Sequence, residues 1–381
     1  MSTKLNRRLR LGMVGGGPGA FIGDVHRIAS RIDDRYELVA AALSSNPEKS
    51  LSFATELRIP RAYGSYQEMA AAEAVHPEPI DVVAIVTPND THCAIAMAFL
   101  GAGIHVMCDK PITTTLADAE KLQAEVKRTG LLFGVTHTYS GYPMVRQMKA
   151  IVASGEIGKI RMINVEYVQG WLATPMESSG SKQAEWRTDP ARSGPAGCLG
   201  DIGTHAYHLA CFVSGLKAES ISAELSTFVP GRRLDDNVQA MIRFEGGARA
   251  SLWSSQIAIG CDNNLNIRIY GETGALEWSQ ENPNYVHYTP LLQPTQILSR
   301  GGGGLNAVGS RLPAGHPEGY LEAFATLYTD LAEQVTARLE GRAPTASAAD
   351  LPTCEDGVAG LRFIEAAIQS SAEGTAWKSL R

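Results

Sequence analysis

The residues with the clearest chemical potential are Asp201 and His205, which stand four positions apart within residues 197–205. The sequence of this stretch predicts the first turn of a helix. In a helix, two residues that are four positions apart have their side chains on the same face. A carboxylate beside an imidazole can handle protons, because the acid orients the ring and stabilises its protonated form. The same pair is also common as a structural contact, in which an acid simply holds a buried histidine. The choice between these interpretations depends on the elements upstream.

Length and composition favour a globular protein of two domains. A chain of 381 residues exceeds one ordinary core, and 44% hydrophobic with 19% charged residues is typical of a loop-rich α/β protein. The formal net charge of -6 gives no basic surface for nucleic acid or an anionic membrane. No apolar run approaches the roughly 20 residues that span a bilayer. We therefore expect neither a nucleic-acid partner nor a membrane partner.

The cysteines are spaced in a way that disfavours a metal site. No CxxC pair and no histidine at zinc-ligand spacing accompanies any of them. Several fall in apolar strand or helix patterns, which fits reduced thiols in a cytoplasmic protein. The six are Cys93, Cys108, Cys198, Cys211, Cys261 and Cys354.

Residues 1–136 alternate strand and helix patterns, which predicts a parallel sheet and a Rossmann dinucleotide-binding domain. An apolar strand at 9–14 precedes a glycine-rich turn and a helix at 21–32. In the dinucleotide fingerprint, the first glycine makes the turn, the second lets the pyrophosphate approach, and a third small residue lets helix and strand pack closely. Gly15, Gly17 and Ala20 fill those places. The residues that we expect to bind the cofactor here are Gly15, Gly16, Gly17, Pro18, Ala20 and Phe21.

The choice between NAD and NADP depends on the end of the second strand, predicted at 36–43. An acid there would accept hydrogen bonds from the adenosine ribose of NAD, whereas a basic residue would favour the 2'-phosphate of NADP. This chain has Ser44 and Ser45, which repel no phosphate, and Lys49 is near enough in sequence to help bind one. We assign all three to the cofactor and leave NAD or NADP open.

Polar residues follow the next strands at their carboxyl ends, where an open α/β sheet binds its ligands. Thr87, Pro88, Asn89 and His92 follow a strand at 81–86, and we assign them to the cofactor. Asp109 and Lys110 follow a strand at 104–108 and receive the same assignment. A lysine at a strand end is either a solvated charge or a group that polarises a substrate oxygen and shuttles its proton.

His137 and Tyr139 follow a further predicted strand at 131–135. By the same carboxyl-end rule they point toward the crevice, and we expect both to contact substrate.

Three motifs in order resemble the glucose-fructose oxidoreductase and inositol dehydrogenase family (Gfo/Idh/MocA). They are the glycine turn, Thr87-Pro88-Asn89 with His92, and Asp109-Lys110-Pro111. The third is the most specific, and it departs mildly from the usual Glu-Lys-Pro because the acid is shortened to Asp109. Downstream, residues 155–160 resemble the family's entry into its second domain and residues 200–205 resemble its catalytic helix, so that the resemblance spans residues 9–280.

The resemblance implies an NAD(P)-dependent oxidoreductase acting on a secondary alcohol of a sugar, glycoside or cyclitol such as inositol. It further implies that Lys110, Asp201 and His205 are the catalytic group and contact substrate. In many members an acidic residue follows the histidine by three positions, whereas this chain has His208, so no substrate contact is carried over from there.

From residue 159 the pattern changes to period-two alternation, which predicts a large, mainly antiparallel sheet. We expect residues 137–381 to form an α+β domain for substrate binding and oligomerisation, with C-terminal helices able to pack back on the first domain. One sheet face would cover the catalytic helix. The other is predicted to be rich in apolar and aromatic residues and to join subunits of a homo-oligomer, a dimer or tetramer; alternatively, it completes a monomer's core. The strands are predicted at 160–168, 219–228, 238–244, 248–256, 266–270 and 275–278.

A long segment at 171–200 lies between strand and helix and carries Trp186 and Arg187. Long loops inside a compact domain often carry function. Arg187 could bind cofactor phosphate or substrate hydroxyls, and Trp186 could cover the sugar or nicotinamide. Alternatively, both residues could have a structural role and hold the loop against its own domain.

The expected reaction is hydride transfer between a ring carbon and nicotinamide, with His205 as base, Asp201 orienting it and Lys110 holding the reacting oxygen. Whether His205 or Lys110 takes the proton stays open, because coupled groups share their protons. Two alternatives remain: an NAD-dependent glycoside hydrolase with transient oxidation, and a non-catalytic nucleotide sensor.

Overall fold

Alternating strands and helices at the start of the chain form a six-stranded parallel sheet in the computed structural model, which describes residues 5–302 and 309–381. The strand order β3-β2-β1-β4-β5-β6 is that of a Rossmann sheet, so the predicted fold class is confirmed. In chain order the elements are β1 (Leu9–Gly15), α1 (Phe21–Ile32), β2 (Tyr36–Ala42), α2 (Pro47–Glu56), β3 (Arg61–Ala62), α3 (Tyr66–Ala74), β4 (Val82–Val86), α4 (His92–Gly101), β5 (His105–Cys108), α5 (Leu116–Thr129) and β6 (Phe133–Val135).

The central strands β1 and β4 are apolar along their whole length because helices cover both faces of a parallel sheet. Leu11, Met13 and Ala84 are fully buried. The strand order reverses between β1 and β4, whose carboxyl ends lie in register at Gly15 and Val86. Such a reversal opens a crevice outside the strand ends, and it is here that doubly wound sheets bind ligands.

A second sheet of nine strands follows, in the order β14-β13-β12-β11-β7-β10-β9-β8-β15. Only β7 and β10 pair in parallel among its described ladders; the other neighbours are antiparallel, as predicted. Up to β14 its elements are α6 (Pro143–Ser154), β7 (Met162–Val168), α7 (Lys182–Arg187), α8 (Pro190–Ser193), α9 (Thr204–Ser214), β8 (Ala218–Ser226), β9 (Asn237–Phe244), β10 (Arg249–Ser255), β11 (Asn264–Tyr270), β12 (Gly274–Ser279), β13 (Tyr285–Pro290) and β14 (Gln296–Ser299).

The period-two pattern separates the two faces of this sheet. On the inner face, Ile163, Leu252 and Ile267 are buried. The outer face is more polar than predicted, since its centre is lined by side chains such as Asn164, Glu166, Gln239, Ser251, Asn266 and Arg268. Its exposed large apolar side chains are Met162, Met241, Trp253 and Tyr270.

The chain then continues through α10 (Tyr320–Leu339), α11 (Cys354–Ala372) and β15 (Lys378–Ser379). Two compact units result: Met1–Gly141 with Tyr320–Val358, and Tyr142–Gly319 with Ala359–Arg381. We call them unit 1 and unit 2. The predicted division stood at 136/137; unit 1 ends its first segment at Gly141 and also takes in α10, whose Phe324, Tyr328 and Leu331 are buried with residues of β1, β2 and β4.

The segment predicted as a loop at 171–200 contains the short helices α7 and α8. No strand was predicted at β3, β13, β14 or β15; β3 and β15 are two residues long, and β13 and β14 show no sustained alternation of buried and exposed positions. Among the described residues, no helix is long and apolar enough to cross a membrane.

Candidate cofactor and catalytic site

The glycine turn of unit 1 is built for close backbone approach. Gly15 has φ +87°, and a Cβ there would lie 2.3 Å from the carbonyl oxygen of Val86. The amide of Gly16 donates to that same oxygen at 3.1 Å. A Cβ on Gly17 would lie 2.5 Å from the carbonyl oxygen of Leu43. The turn is therefore pressed between the ends of β1, β4 and β2, and only glycine fits at these places.

The close packing of turn and helix involves Gly23, which the sequence analysis did not single out. A Cβ on Gly23 would lie 2.5 Å from Gly16 Cα and 2.6 Å from Gly16 O. Both neighbours are backbone atoms and cannot move aside cheaply. A glycine three residues beyond Ala20, on the helix face that returns to the turn, was the signal in the sequence that could have found it.

The start of α1 fits a bound pyrophosphate. The N-cap residue, Ala20, has no side-chain oxygen with which to cap the helix. The first amides of a 12-residue helix therefore point toward a partly open turn, and helix N-termini of this kind bind phosphates. Pro18 and Gly19 at the tip of the turn are exposed, as is Phe21 at 68%.

At the end of β2, Ser44 is half-buried while Ser45 and Lys49 are exposed. The hydroxyl of Ser44 accepts the Asn46 amide at 3.1 Å, and the side chain of Asn46 caps α2 by accepting the Lys49 amide at 2.9 Å. No carboxylate stands among residues 44–47. This end of the strand is thus a neutral corner that excludes neither cofactor on charge.

His92, predicted to bind the cofactor, is fully buried. Its Nδ1 lies 2.8 Å from the carbonyl oxygen of Pro111, and its Nε2 lies 2.7 Å from that of Thr87. The ring therefore connects the loop after β4 to the turn after β5. Thr87, Pro88 and Asn89 remain half-buried at the strand end.

Asp109 follows the carboxyl end of β5, and its carboxylate is bound by the side chains of His26 and Thr136. Oδ1 lies 3.0 Å from Nε2 of His26 and accepts the hydroxyl of Thr136 at 2.5 Å. Burial raises the pKa of this carboxyl group, but His26 and the hydrogen bonds outweigh burial and hold the pKa below its ordinary value. Asp109 is thus an anion beside half-buried Lys110.

His137 and Tyr139, predicted as substrate contacts, are 2% and 5% exposed. That burial gives the prediction no support. Both follow β6, as the sequence indicated.

In unit 2, Asp201 has two described donors on one oxygen. Arg187 Nε donates to Oδ2 at 3.1 Å, and Gln256 Nε2 donates to the same atom at 2.8 Å. The guanidinium of Arg187 lies over the ring of Trp186, 4.3 Å from its centroid. The structure thus brings Trp186, Arg187 and Asp201 together, and it adds Gln256, which follows the carboxyl end of β10 and was missed.

Asp201 lies in a π-helical turn, Leu199–Gly203, that continues directly into α9. The predicted simple α-helical turn was therefore wrong in detail. The four-residue step to half-buried His205 crosses the junction of two helix types, and π-turns of this kind are frequent at functional sites. His205 packs against Tyr167 with ring centroids 6.1 Å apart.

The start of this turn is fixed by Asp235. Its carboxylate accepts the amides of Gly197 at 2.6 Å and Leu199 at 2.8 Å, while its carbonyl oxygen accepts that of Cys198 at 2.9 Å. Burial raises the pKa of the Asp235 carboxyl group. Among the described residues no cluster of His, Cys, Asp and Glu has the form of a metal site.

A parallel sheet with a glycine turn at its point of reversal and an uncapped helix start defines a dinucleotide-binding protein. The sequence agrees: residues 9–137 match the oxidoreductase family with an NAD-binding Rossmann fold, and residues 145–277 match the GFO/IDH/MocA C-terminal domain. The chain belongs to the Gfo/Idh/MocA oxidoreductases, as its motifs predicted.

Similar proteins cover nearly the whole chain. An oxidoreductase from Sinorhizobium meliloti is 47% identical, with 98% of this chain and 100% of that one covered and a TM-score of 0.89. An inositol dehydrogenase homologue from Azotobacter vinelandii, solved with NADH and myo-inositol, is 35% identical over 99% of both chains, with a TM-score of 0.89. Levoglucosan dehydrogenase of Pseudarthrobacter phenanthrenivorans is 29% identical over 72% of this chain and 74% of its own.

Proposed function

We propose that this oxidoreductase transfers hydride between a secondary alcohol of a sugar, glycoside or cyclitol and NAD or NADP. The observation that carries the proposal is the place of Lys110. It follows β5 at the sheet edge that also carries the glycine turn, since the amide of Asp109 donates to Ile85 O while that of Gly16 donates to Val86 O. An ammonium group at the dinucleotide edge suits a reaction in which an alcohol oxygen loses its proton.

The relatives support a polyol substrate. The inositol dehydrogenase homologue was solved with myo-inositol, and levoglucosan dehydrogenase is named for an anhydrosugar. We carry over the class of substrate, a ring with secondary hydroxyls, and leave the particular hydroxyl to experiment, because selectivity depends on a few polar contacts.

In the proposed reaction the alcohol O–H proton passes to His205 as the C–H bond breaks and the C=O bond forms. Asp201, which is held by Arg187 and Gln256 and stands four residues before His205, would orient the ring and stabilise its protonated form. Lys110 binds the reacting oxygen and stabilises charge that develops on it. Bound nicotinamide would supply the hydride acceptor. The reverse reaction returns the same proton and reduces the ketone.

The glycine turn, the start of α1 and the neutral corner at Ser44 and Ser45 would hold the dinucleotide. Phe21, Thr87, Pro88, Asn89 and the pair Trp186 and Arg187 complete the proposed contacts. His137 and Tyr139 stay proposed substrate contacts without support from their exposure.

The test is a screen of cyclitols, aldoses and glycosides with NAD and NADP separately, following absorbance of the reduced nicotinamide. We expect reduced cofactor to form stoichiometrically with oxidised polyol, and Lys110→Ala to lower kcat by a factor of about 10²–10⁴. Release of a sugar leaving group without net reduced cofactor would instead indicate a hydrolase. A silent screen with retained cofactor binding would indicate a nucleotide sensor.

We also propose a cytoplasmic location, which suits a protein with reduced cysteines, and a homo-oligomer that pairs through the outer face of the nine-stranded sheet. Exposed Met241 and Trp253 lie there beside the charges of Glu166 and Arg268, so that a second copy could match both kinds of group. Met241→Lys should lower the mass measured by light scattering, whereas Val75→Lys, at an exposed position of unit 1, should not.

A further inference from the structure

Asp109 is joined to a buried chain of polar groups that the proposed reaction does not use. His26, on the inner face of α1, is 0% exposed. Its Nε2 lies 3.0 Å from Asp109 Oδ1, and its Nδ1 lies 2.7 Å from the hydroxyl of Tyr328 in α10. Unit 1 therefore contains a line of contacts that runs from α10 through α1 to the residue before Lys110.

The hydrogen bond to Asp109 has a fixed direction. The carboxylate is an anion and can only accept, so the Nε2–H of His26 donates to it. The Tyr328 hydroxyl at the other ring nitrogen can either donate or accept, so this second contact holds the ring in both of its protonation states.

The other neighbour of Lys110 is held in a comparable way. The carbonyl oxygen of Pro111 lies 2.8 Å from Nδ1 of His92, and the opposite ring nitrogen lies 2.7 Å from Thr87 O. A neutral imidazole donates to one of these carbonyls, and a ring protonated at both nitrogens donates to both. Either way, the buried ring spans the gap between the strand ends of β4 and β5.

We propose that His26 and His92 are positioning residues for Lys110, since each buried imidazole binds one of its two chain neighbours. Lys110 is thereby the middle residue of a segment fixed at both sides, Asp109 from α1 and Pro111 from the start of α4. A small misplacement of a reacting group is costly, because near-attack geometry contributes a large part of rate enhancement. This inference rests on the proposed role of Lys110.

The short side chain of Asp109 explains why this sequence needs the contact with His26. Asp109 accepts His26 and Thr136 on one oxygen, and its side chain is only 15% exposed. A carboxylate withdrawn into the protein needs such donors, because a buried charge without them is strongly unfavourable. The motif therefore depends on His26 for the anion that precedes the lysine.

The experiment measures the amine reactivity of Lys110 directly, by pH-dependent trace acetylation and mass spectrometry of the full-length protein. His26→Leu removes the donor to Asp109, whereas His26→Gln can restore one. The matched control is Phe324→Leu, which alters the aromatic ring packed edge-on against His26, 5.0 Å away, without touching Asp109. His92→Leu tests the second contact in the same way.

We expect His26→Leu and His92→Leu to change the Lys110 acetylation rate about threefold or more and to lower kcat about tenfold. His26→Gln should recover most of the wild-type labelling. Thr136→Val, which leaves the imidazole in place, provides a second route if His26→Leu fails to fold, and it should shift labelling in the same direction.

Unchanged labelling in His26→Leu, or an equal change in Phe324→Leu, would overturn the proposal. The labelling needs no turnover. If labelling changes as expected while the wild-type protein oxidises no polyol, the proposed function fails and the positioning role stands.

Discussion

Gln256 donates a hydrogen bond of 2.8 Å to Oδ2 of Asp201, the same atom that accepts from Arg187. Gln256 is buried and immediately follows β10, so its amide is held in place by the sheet. Arg187, in contrast, reaches Asp201 from the short helix α7. The carboxylate is thus bound by one donor from a rigid element and one from a long connecting segment.

Gln256→Leu should lower kcat about tenfold or more, because a hydrogen bond to a charged group contributes roughly 1.5–3 kcal/mol. Binding of NADH should change much less than kcat, because most of the proposed dinucleotide contacts lie in unit 1. Steady-state kinetics with a cofactor titration separates the two effects. Gln293→Leu, the same change at an exposed position, serves as control; equal losses in both variants would contradict the prediction.

Protein stability should fall in mildly acidic solution because of His105. Burial, followed by the charge of Arg338, lowers the pKa of this imidazole from 6.5 to about 4, and its Nδ1 accepts the Leu132 amide at 3.0 Å. The unfolded chain therefore binds a proton first as the pH falls. The contribution is complete above pH 6.5 and is lost between pH 6.5 and 4, with a slope of at most about 1.4 kcal/mol per pH unit.

Urea unfolding of the wild type and His105→Asn at pH 7.5 and pH 5 measures this slope. Asparagine keeps an acceptor near the position of Nδ1 and does not titrate, so the variant should lose less stability on acidification. The same pH dependence in both proteins would show that other groups cause it.

Gly23→Ala should weaken dinucleotide binding by about tenfold or more, because the added Cβ would lie 2.5 Å from Gly16 Cα and displace the turn. Gly101→Ala is the control in helix α4, where a Cβ meets nothing within 4 Å. That change should leave binding intact and raise the free energy of unfolding by about 0.5 kcal/mol. Calorimetric titration and thermal unfolding test both. A Gly23→Ala protein that binds NADH normally would show that the glycine turn can shift to accommodate the added Cβ without loss of binding.

Ser44→Asp should shift the cofactor preference toward NAD. A carboxylate at the end of β2 can accept the ribose hydroxyls and repels a 2'-phosphate. We expect the ratio of NADPH to NADH dissociation constants to rise about tenfold or more. Ser52→Asp adds the same charge at an exposed position of α2 and should leave the ratio unaltered. An unchanged ratio in Ser44→Asp would place the adenosine ribose elsewhere.

Local patterns predicted five of the six strands of the first sheet and missed the two-residue strand β3. The apolar runs and glycines predicted β1 to within one residue and α1 at both ends, because strand period and turn chemistry are encoded by neighbours in sequence. The same holds for the alternation that predicted β9 and β10.

The parts that were missed depend on distant pairing. Gln256 acquires its role because β10 pairs with β7 and ends beside the turn that carries Asp201, a relationship that no local period contains. The fully buried position of His92 between two carbonyl groups is a result of the same kind. Motif spacing identified these regions, and only the tertiary structure shows which groups their side chains contact.

The return of α10 to unit 1 has a consequence for synthesis on the ribosome. The first strands emerge early, but the apolar side chains of Phe324, Leu327 and Leu331 that complete their core are made only after unit 2 has been largely translated. The core of unit 1 is therefore completed late, and a fragment that ends at Gly141 would expose the apolar side chains that α10 covers in the full chain. During translation of residues 142–319, the apolar side chains of unit 1 therefore lack their contacts with α10.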